Sequence, residues 1–246
     1  MTNGVKRRLP LPELLIGLLA VAAAVAITGV VVADAVRDVK RARDTITVTG
    51  SARHPISADI VHWSLAVSAD AVRPEDAVRR LHARVKAVRA FFAARGLPAS
   101  AVTEPPIVTR TILLRVNRRR VPAFSLVQRF RITSTQIDEV EGIAARASDL
   151  LAQGIPVSTG GLSYIASELT SARIAALKDA VADAHRRAET IVEGIGGKLG
   201  AVKRAQLGVY QVVPRNSTEI SDYGINDTTS REKDVYAVVS VTFRVH

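Results

Sequence analysis

Residues 171–200 read SARIAALKDAVADAHRRAETIVEGIGGKLG, and the first two thirds of this stretch repeat at helical spacing. Apolar side chains recur every three or four positions, which predicts a helix from Ser171 to Glu193. Its predicted buried stripe is Ile174, Leu177, Val181, Ala184, Ala188 and Ile191. The glycine-rich segment 194–197 follows this helix instead of opening one. It is therefore interpreted as a C-terminal turn and not as a phosphate-binding loop.

The segments on both sides of this helix alternate apolar and polar residues, which is typical of β-strands. Seven strands are predicted: Thr45–Thr49, Val61–Val67, Ile107–Val116, Phe124–Ser134, Gly161–Ser167, Ala201–Val213 and Val235–Val245. The last of them is either a central, buried strand or an exposed edge strand that offers a docking surface. About seven strands with three helices predict an α/β (α+β) fold class.

Two further helices complete the predicted set. The first begins at Pro74, because proline is favoured in a first turn, and residues 96–98 end it. Its predicted apolar stripe is Val78, Leu81, Val85, Val88 and Phe92. Thr135 with Asp138 resembles a capping box that opens the second helix. The predicted apolar positions of this helix are Ile137, Val140, Ala144, Ala147 and Leu151.

The N-terminal region contains a long uncharged segment, residues 14–33. At about 1.5 Å rise per residue, its length matches the hydrocarbon core of a bilayer. The sequence predicts a basic tail (residues 1–13), a transmembrane anchor or signal segment (14–33), a charged juxtamembrane linker (34–43) and a soluble domain (44–246). The apolar run is longer than a usual signal core, which favours an uncleaved anchor, with cleavage near Ala35 as the alternative.

The orientation of this segment is predicted from the basic residues beside it. Lys6, Arg7 and Arg8 precede it, although Arg37 and Lys40 follow it as well. Short tails with such a cluster usually stay in the cytoplasm, so residues 44–246 are expected outside the cytoplasm. If the segment is cleaved near Ala35, the soluble domain is instead secreted into that same compartment.

Composition excludes several protein classes. The chain of 246 residues is 48% hydrophobic and has no cysteine, which excludes disorder, a disulfide scaffold and thiolate metal sites. Its net charge of +11 suggests nucleic-acid binding, but the densest basic run, Arg118–Arg120, follows Asn117 at a predicted hairpin tip. This run is interpreted as a solvated turn, with contact to an anionic partner as the alternative. No nucleic acid is expected as a partner.

The sequence shows no catalytic, cofactor-binding or metal-binding constellation. The five histidines lie in separate predicted elements without the spacing of metal ligands: His54, His62, His82, His185 and His246. No nucleophile elbow, Walker loop or zinc-protease motif is present. Residues 214–233 lack an apolar period and are predicted to form a long polar loop that is disordered or contacts a partner.

From about Thr45 to Val245, the order of these elements and several motifs resembles the SIMPL-domain family. That family includes periplasmic immunogenic proteins and oxidative-stress defence proteins of bacterial envelopes. The motif with the best match is residues 172–180, ARIAALKDA. The other motifs that carry the resemblance are Thr49-Gly50 at the end of the first strand, Ser57–Val61, Pro74–Ala77, Gly154-Ile155, Asp183-Ala184, Arg187–Glu189 and Gly197–Gly200.

This resemblance implies a sheet domain with helices and, in some members, ring-like or channel-like oligomers. It implies no catalytic residues and no cofactor. The expected protein is a non-enzymatic, single-pass protein of the bacterial inner membrane, with an extracytoplasmic domain that forms homo-oligomers or binds envelope partners, in envelope or oxidative stress defence. The alternative is a small-molecule-binding protein or enzyme that uses a cleft between sheet and helices. Self-association is expected through sheet edges or helix faces and not through Arg118–Arg120, which would repel its own copy.

Overall fold

The computed structural model describes residues 16–19, 21–29, 32, 44–219 and 221–246. Its mixed α/β architecture confirms the fold class. Within the range 44–246, the described residues form ten strands and four helices. The strands are β1 (Thr45–Ser57), β2 (Ile60–Ala71), β3 (Val102–Thr103), β4 (Val108–Val116), β5 (Arg119–Ser134), β6 (Val157–Thr159), β7 (Ser163–Ile165), β8 (Leu199–Leu207), β9 (Gln211–Pro214) and β10 (Glu232–Val245). The helices are α1 (Pro74–Ala93), α2 (Ile137–Ala145), α3 (Ser148–Ala152) and α4 (Leu169–Gly194).

The strands form two sheets. One has six strands in the order β3-β5-β2-β6, with β4 also paired to β5 and β7 to β2. The other has the order β1-β10-β8, with β9 also paired to β10. β10 is therefore central, and the interpretation of Val235–Val245 as an edge strand is wrong. The residues of its apolar row from Val235 to Phe243 are buried, as expected for a central strand.

Several predicted strand limits are wrong for local reasons. The first strand does not end at Thr49-Gly50 but continues to Ser57, because Gly50 adopts extended backbone and the alternation resumes after it. The predicted strand Ala201–Val213 divides into β8 and β9 around residues 208–210. The additional strands β3, β6 and β9 have only two to four residues, which is too short for a periodic signal.

The chain divides into two compact units. One consists of the described part of Met1–Gly50 with Ala184–Gln206 and Ser240–His246, and the other consists of Ser51–Asp183 and Leu207–Val239. In the larger unit, α1 packs on β2 and β5. Trp63 and Phe130 both meet the ring of Phe92 edge to face, with centroids 6.1 and 5.6 Å apart. Such aromatic pairs add stabilisation to the area that they bury.

Helix α1 begins at Pro74, as predicted, with acidic Glu75 and Asp76 in its first turn. The predicted apolar stripe is confirmed from Leu81 to Phe92, but Val78 is 39% exposed and the buried position in that turn is Ala77. In this turn the smaller Ala77 is buried and the larger Val78 is partly exposed, so side-chain size did not indicate the buried position.

The predicted second helix is interrupted. The Thr135/Asp138 capping box is wrong, because the N-cap residue is Gln136 and no side chain caps the helix. The helix ends at Ala145 and α3 begins at Ser148. This break shifts the buried positions, so that Ile143 and Leu150 are buried in place of Ala144 and Leu151.

Helix α4 has nearly the predicted limits but a different buried face. Ile174, Val181 and Ile191 of the predicted stripe are about half exposed. The buried positions follow a strict spacing of four: Ala172, Ala176, Ala180, Ala184, Ala188 and Val192. Because alanine is small, this face permits closer approach than the isoleucine face does. Only Ala184 and Ala188 of the predicted stripe are buried.

In the smaller unit, β8 and the end of β10 pair in antiparallel fashion. Lys198 and His246 exchange both backbone hydrogen bonds, at 2.7 and 2.9 Å. A Cβ on Gly200 would lie 2.8 Å from His246 Nε2, so a larger residue at position 200 would require the imidazole to move. On α4, the ring of His185 meets that of Phe243 edge to face at 5.8 Å.

The predicted tail (1–13) and linker (34–43) lie outside the described residues, and the segment 14–33 lies partly outside them. Residues 16–19, 21–29 and 32 of that segment are helical. In the described part of the chain, no helix combines the length and the apolar composition needed to cross a bilayer.

Candidate functional site

The polar segment after β9 is fixed by hydrogen bonds over its described residues. The Asp227 carboxylate accepts hydrogen bonds from the backbone N–H of Thr229 at 2.9 Å and of Ser230 at 3.1 Å. The side-chain amide of Gln211 accepts a hydrogen bond from the backbone N–H of Ser221 at 3.1 Å and donates one to the Ser221 carbonyl at 3.2 Å. These hydrogen bonds give the described residues of the loop defined positions, and the loop ends before β10, which begins at Glu232.

A buried ion pair joins this loop to β10. The Lys233 side chain is only 2% exposed, and its Nζ donates to the Asp227 carboxylate at 3.2 Å and to the Asp227 carbonyl. This pair was not predicted from the sequence, because Lys233 fell within the predicted polar loop 214–233. The sequence did contain a signal for it. Lys233, Val235 and Ala237 are spaced two residues apart, so their side chains lie on the same face of a strand.

The pKa values of Asp227, a member of this pair, and of the neighbouring Tyr164 are shifted. Burial raises the pKa of the Asp227 carboxyl, but hydrogen bonds from Thr229, Lys233 and Ser230 outweigh it and lower that pKa to about 2. Burial, together with the hydrogen bond from Tyr164 Oη to Glu141 at 2.7 Å, raises the pKa of Tyr164 to about 12. Both groups thus keep one protonation state near neutral pH. General acid–base catalysis needs the opposite, a pKa close to the working pH.

The cavity at this cluster is small. Its volume is about 70 Å³, and Tyr164, Leu169, Val212 and Lys233 are among the residues that line it. Pockets that bind small molecules usually measure roughly 300–1,000 Å³, so this cavity is too small for a metabolite. Because the charges are paired and the cavity is this small, the Lys233–Asp227 cluster is best explained as a structural tie between the loop and β10.

The edge strand β8 is exposed over most of its length. Each residue from Ala201 to Gln206 is exposed, on both faces of the strand, and Val202 is 57% exposed. Nearby in sequence, Ile191 and Ile195 are also exposed, the latter at 73%. An uncovered edge with apolar neighbours is a surface that readily pairs with another strand.

The sequence-predicted candidates are not brought together. His54 and His62 lie on β1 and β2, His82 on α1 and His185 on α4, while His246 follows β10. No group of three or more histidine, aspartate or glutamate residues in the described ranges could hold a metal ion. The Arg118–Arg120 run lies at the β4–β5 hairpin tip, as predicted, with positive φ at Asn117 (48°) and Arg118 (65°). Two consecutive positive φ angles are typical of a type I′ hairpin turn.

Comparison with known proteins identifies a family but no activity. No curated protein matches the chain. A similar solved structure is that of a "putative amidohydrolase/peptidase" from Burkholderia cenocepacia, at 11% identity over 56% of this chain, with a TM-score of 0.17. The chain covers 36% of that protein, and a likeness this distant carries no argument. The SIMPL family model, described as a protein of unknown function (DUF541), matches residues 46–243, and the chain therefore belongs to the SIMPL family.

Proposed function

We propose that this protein is a non-enzymatic, single-pass protein of the bacterial inner membrane whose SIMPL domain lies outside the cytoplasm and assembles there, with further copies or with envelope partners, in envelope or oxidative stress defence. The observation that carries the assembly is the uncovered edge strand β8. The anchor and the location rest on the N-terminal sequence and on the family resemblance.

The N-terminal segment supports a lipid environment. Its described helical residues include Ile16, Leu18 and Val25, and their side chains are about two thirds exposed. Apolar side chains in such a row are stable in hydrocarbon and costly in water. An uncharged stretch of twenty residues, Leu14–Ala33, gives the required length.

The backbone of β8 supports assembly by strand addition. Lys198, directly before β8, exchanges both backbone hydrogen bonds with His246, directly after β10, and Gly200 lies against Arg244 in the same register. In an antiparallel pair the residues between such positions, here Leu199 and Ala201, direct their backbone groups away from the partner strand. A strand of another chain can pair with these outward groups.

The charges on β8 favour one mode of self-assembly. A two-fold pair of β8 with β8 that is centred near Arg204 would bring this cation close to its own copy, which is destabilising. The opposite edge of the same sheet is β1, whose first six residues, TITVTG, are uncharged. We therefore expect β8 of one copy to pair with β1 of the next. Such head-to-tail contacts generate rings or filaments.

The test removes one outward hydrogen-bond donor. Ala201→Pro lacks the outward N–H, and proline is tolerated on the free side of an edge strand. The full chain in a neutral detergent is expected to form oligomers, and Ala201→Pro is expected to shift the native mass toward the monomer. Ala201→Ser keeps the N–H and should assemble like the parent chain. Equal masses for the parent chain and a folded Ala201→Pro variant would contradict assembly through β8.

The non-enzymatic part of the proposal is supported by the candidate site. Asp227 and Tyr164 have pKa values far from neutrality, and their cavity has a volume of only about 70 Å³. Neither property suits acid–base chemistry on a bound substrate. The alternative role, binding of a small molecule, has a separate observation in its favour on the other sheet.

A further inference from the structure

One face of the six-stranded sheet is polar and open. On the opposite face, Val61, Trp63 and Leu65 of β2 are buried with α1. The residues between them, His62 and Ser64, are exposed. Successive side chains of β2 therefore point alternately to the core face and to the open face, and those on the open face lie outside the hydrophobic core.

Strand register brings five polar side chains together on this face. His62 is paired with Thr133 of β5 on one side and with Ser163 of β7 on the other. In the next row, Ser64 is paired with Arg131. Directly paired residues have Cβ atoms about 5 Å apart, so the five side chains form one cluster across three strands.

The cluster lines an open cleft of about 450 Å³. On one side the cleft is bordered by Gly160 and Gly161, which have no side chains that could fill it. A Cβ on Gly160 would lie 2.5 Å from Ser64 Oγ, whereas a Cβ on Gly161 would meet no atom within 4 Å. A side chain at position 161 would therefore enter free space beside the cleft without a backbone clash.

The electrostatics of the cleft favour an anion. In the described residues Arg131, which lines the cleft, has no carboxylate partner. Within β2, the first carboxylate on this face belongs to Asp70, about 20 Å from Ser64 at the usual strand rise. A guanidinium, three hydroxyls and an imidazole supply several hydrogen-bond donors with no negative charge among them.

These donors match the needs of one chemical group. Arg binds phosphate and carboxylate oxygens in bidentate geometry, and serine or threonine hydroxyls donate to the remaining oxygens. His62 Nδ1 is 2.9 Å from Thr133 Oγ1, which orients the ring beside the cleft. We propose that this cleft binds a small molecule through an oxyanion group, a phosphate or a carboxylate. The site is independent of β8 and of the proposed assembly.

The site differs from the cleft expected from sequence. The expectation placed a ligand between sheet and helices, but that space is filled by the side chains of α1, β2 and β5. The proposed cleft is on the face of the sheet that α1 does not cover. Only the register of β2 with β5 and β7 reveals it, because its residues are far apart in sequence.

The test measures the affinity of the full chain, in a neutral detergent at constant ionic strength, for inorganic phosphate and for acetate by calorimetry. Saturable binding of one of them is expected, and the tighter probe identifies the oxyanion. Arg131→Gln is expected to weaken binding at least tenfold. Gly161→Leu should weaken it as well, because its side chain would extend into the free space beside the cleft and restrict access to it.

The matched control is Arg129→Gln, which removes the same charge from the same strand and face two residues away. It should bind within about twofold of the parent chain. Equal weakening by Arg129→Gln and Arg131→Gln would indicate general charge attraction and would overturn the site. Absence of saturable binding of both probes to the parent chain would overturn it too. Thermal unfolding checks that each variant is folded, and native mass is not involved, so the outcome does not depend on assembly.

Discussion

At the scale of single residues, Lys233 shows how a polar loop becomes part of a folded domain. A buried ammonium group is costly unless it is paired and hydrogen-bonded. Asp227 supplies the charge, and Thr229 and Ser230 in turn bind the carboxylate. The pair holds the loop in place, and breaking it from one side leaves a buried charge without compensation.

Asp227 is expected to make the stability of the protein depend on pH. Its folded-state pKa of about 2 is below the ordinary aspartate value of 3.8, so its stabilisation is complete above roughly pH 5 and is lost as pH falls toward 2. The shift corresponds to roughly 2 kcal/mol. The free energy of unfolding of Asp227→Asn, measured by chemical denaturation, should lack this part of the decrease between pH 5 and pH 2. Asp222→Asn, an exposed position in the same loop, should keep the decrease. The same pH profile in Asp227→Asn and in the parent chain would refute this role.

At the scale of elements, α4 departs from the usual expectation that the large apolar residues of a helix form its buried face. Its large side chains Ile174, Val181 and Ile191 are partly exposed, and its alanines are buried. An alanine face allows close approach, and there any added volume must displace its neighbours. The hydrophobic pattern of a helix thus indicates that a buried face exists without indicating which residues form it.

The alanine face predicts opposite tolerances at adjacent positions of α4. Ala180 is fully buried, so Ala180→Leu should overpack its surroundings and cost about 1–3 kcal/mol of stability. Val181 is 43% exposed, and Val181→Ala should change stability by less than about 0.5 kcal/mol. Urea denaturation of the two variants gives both values. A larger loss in Val181→Ala than in Ala180→Leu would support the stripe predicted from sequence instead.

At the scale of the whole molecule, the proposed location can be tested cleanly because the chain has no cysteine. Thr218→Cys introduces one thiol at an exposed loop position of the SIMPL domain. In intact cells stripped of the outer membrane, a membrane-impermeant maleimide should label it. Thr2→Cys in the N-terminal tail should react only after lysis. The reverse pattern would place the domain in the cytoplasm and would refute the proposed orientation.

The sequence by itself determined features that depend on neighbouring residues. The start of α1 at Pro74, the hairpin tip at Asn117-Arg118 and the buried row of β10 all follow from local propensity or period. The family resemblance was also visible in sequence, because the order of motifs is a linear property. The family match over residues 46–243 confirms it.

Only the tertiary structure decided which distant residues meet. Strand order made β10 central and left β8 at the edge, and register joined Ser64 with Arg131 across the open cleft. It also placed Lys233 beside Asp227, with both side chains nearly excluded from water. These outcomes depend on pairing between segments that are remote in the chain. Local hydrophobic pattern does not encode them, because the same period is compatible with several strand orders and helix faces.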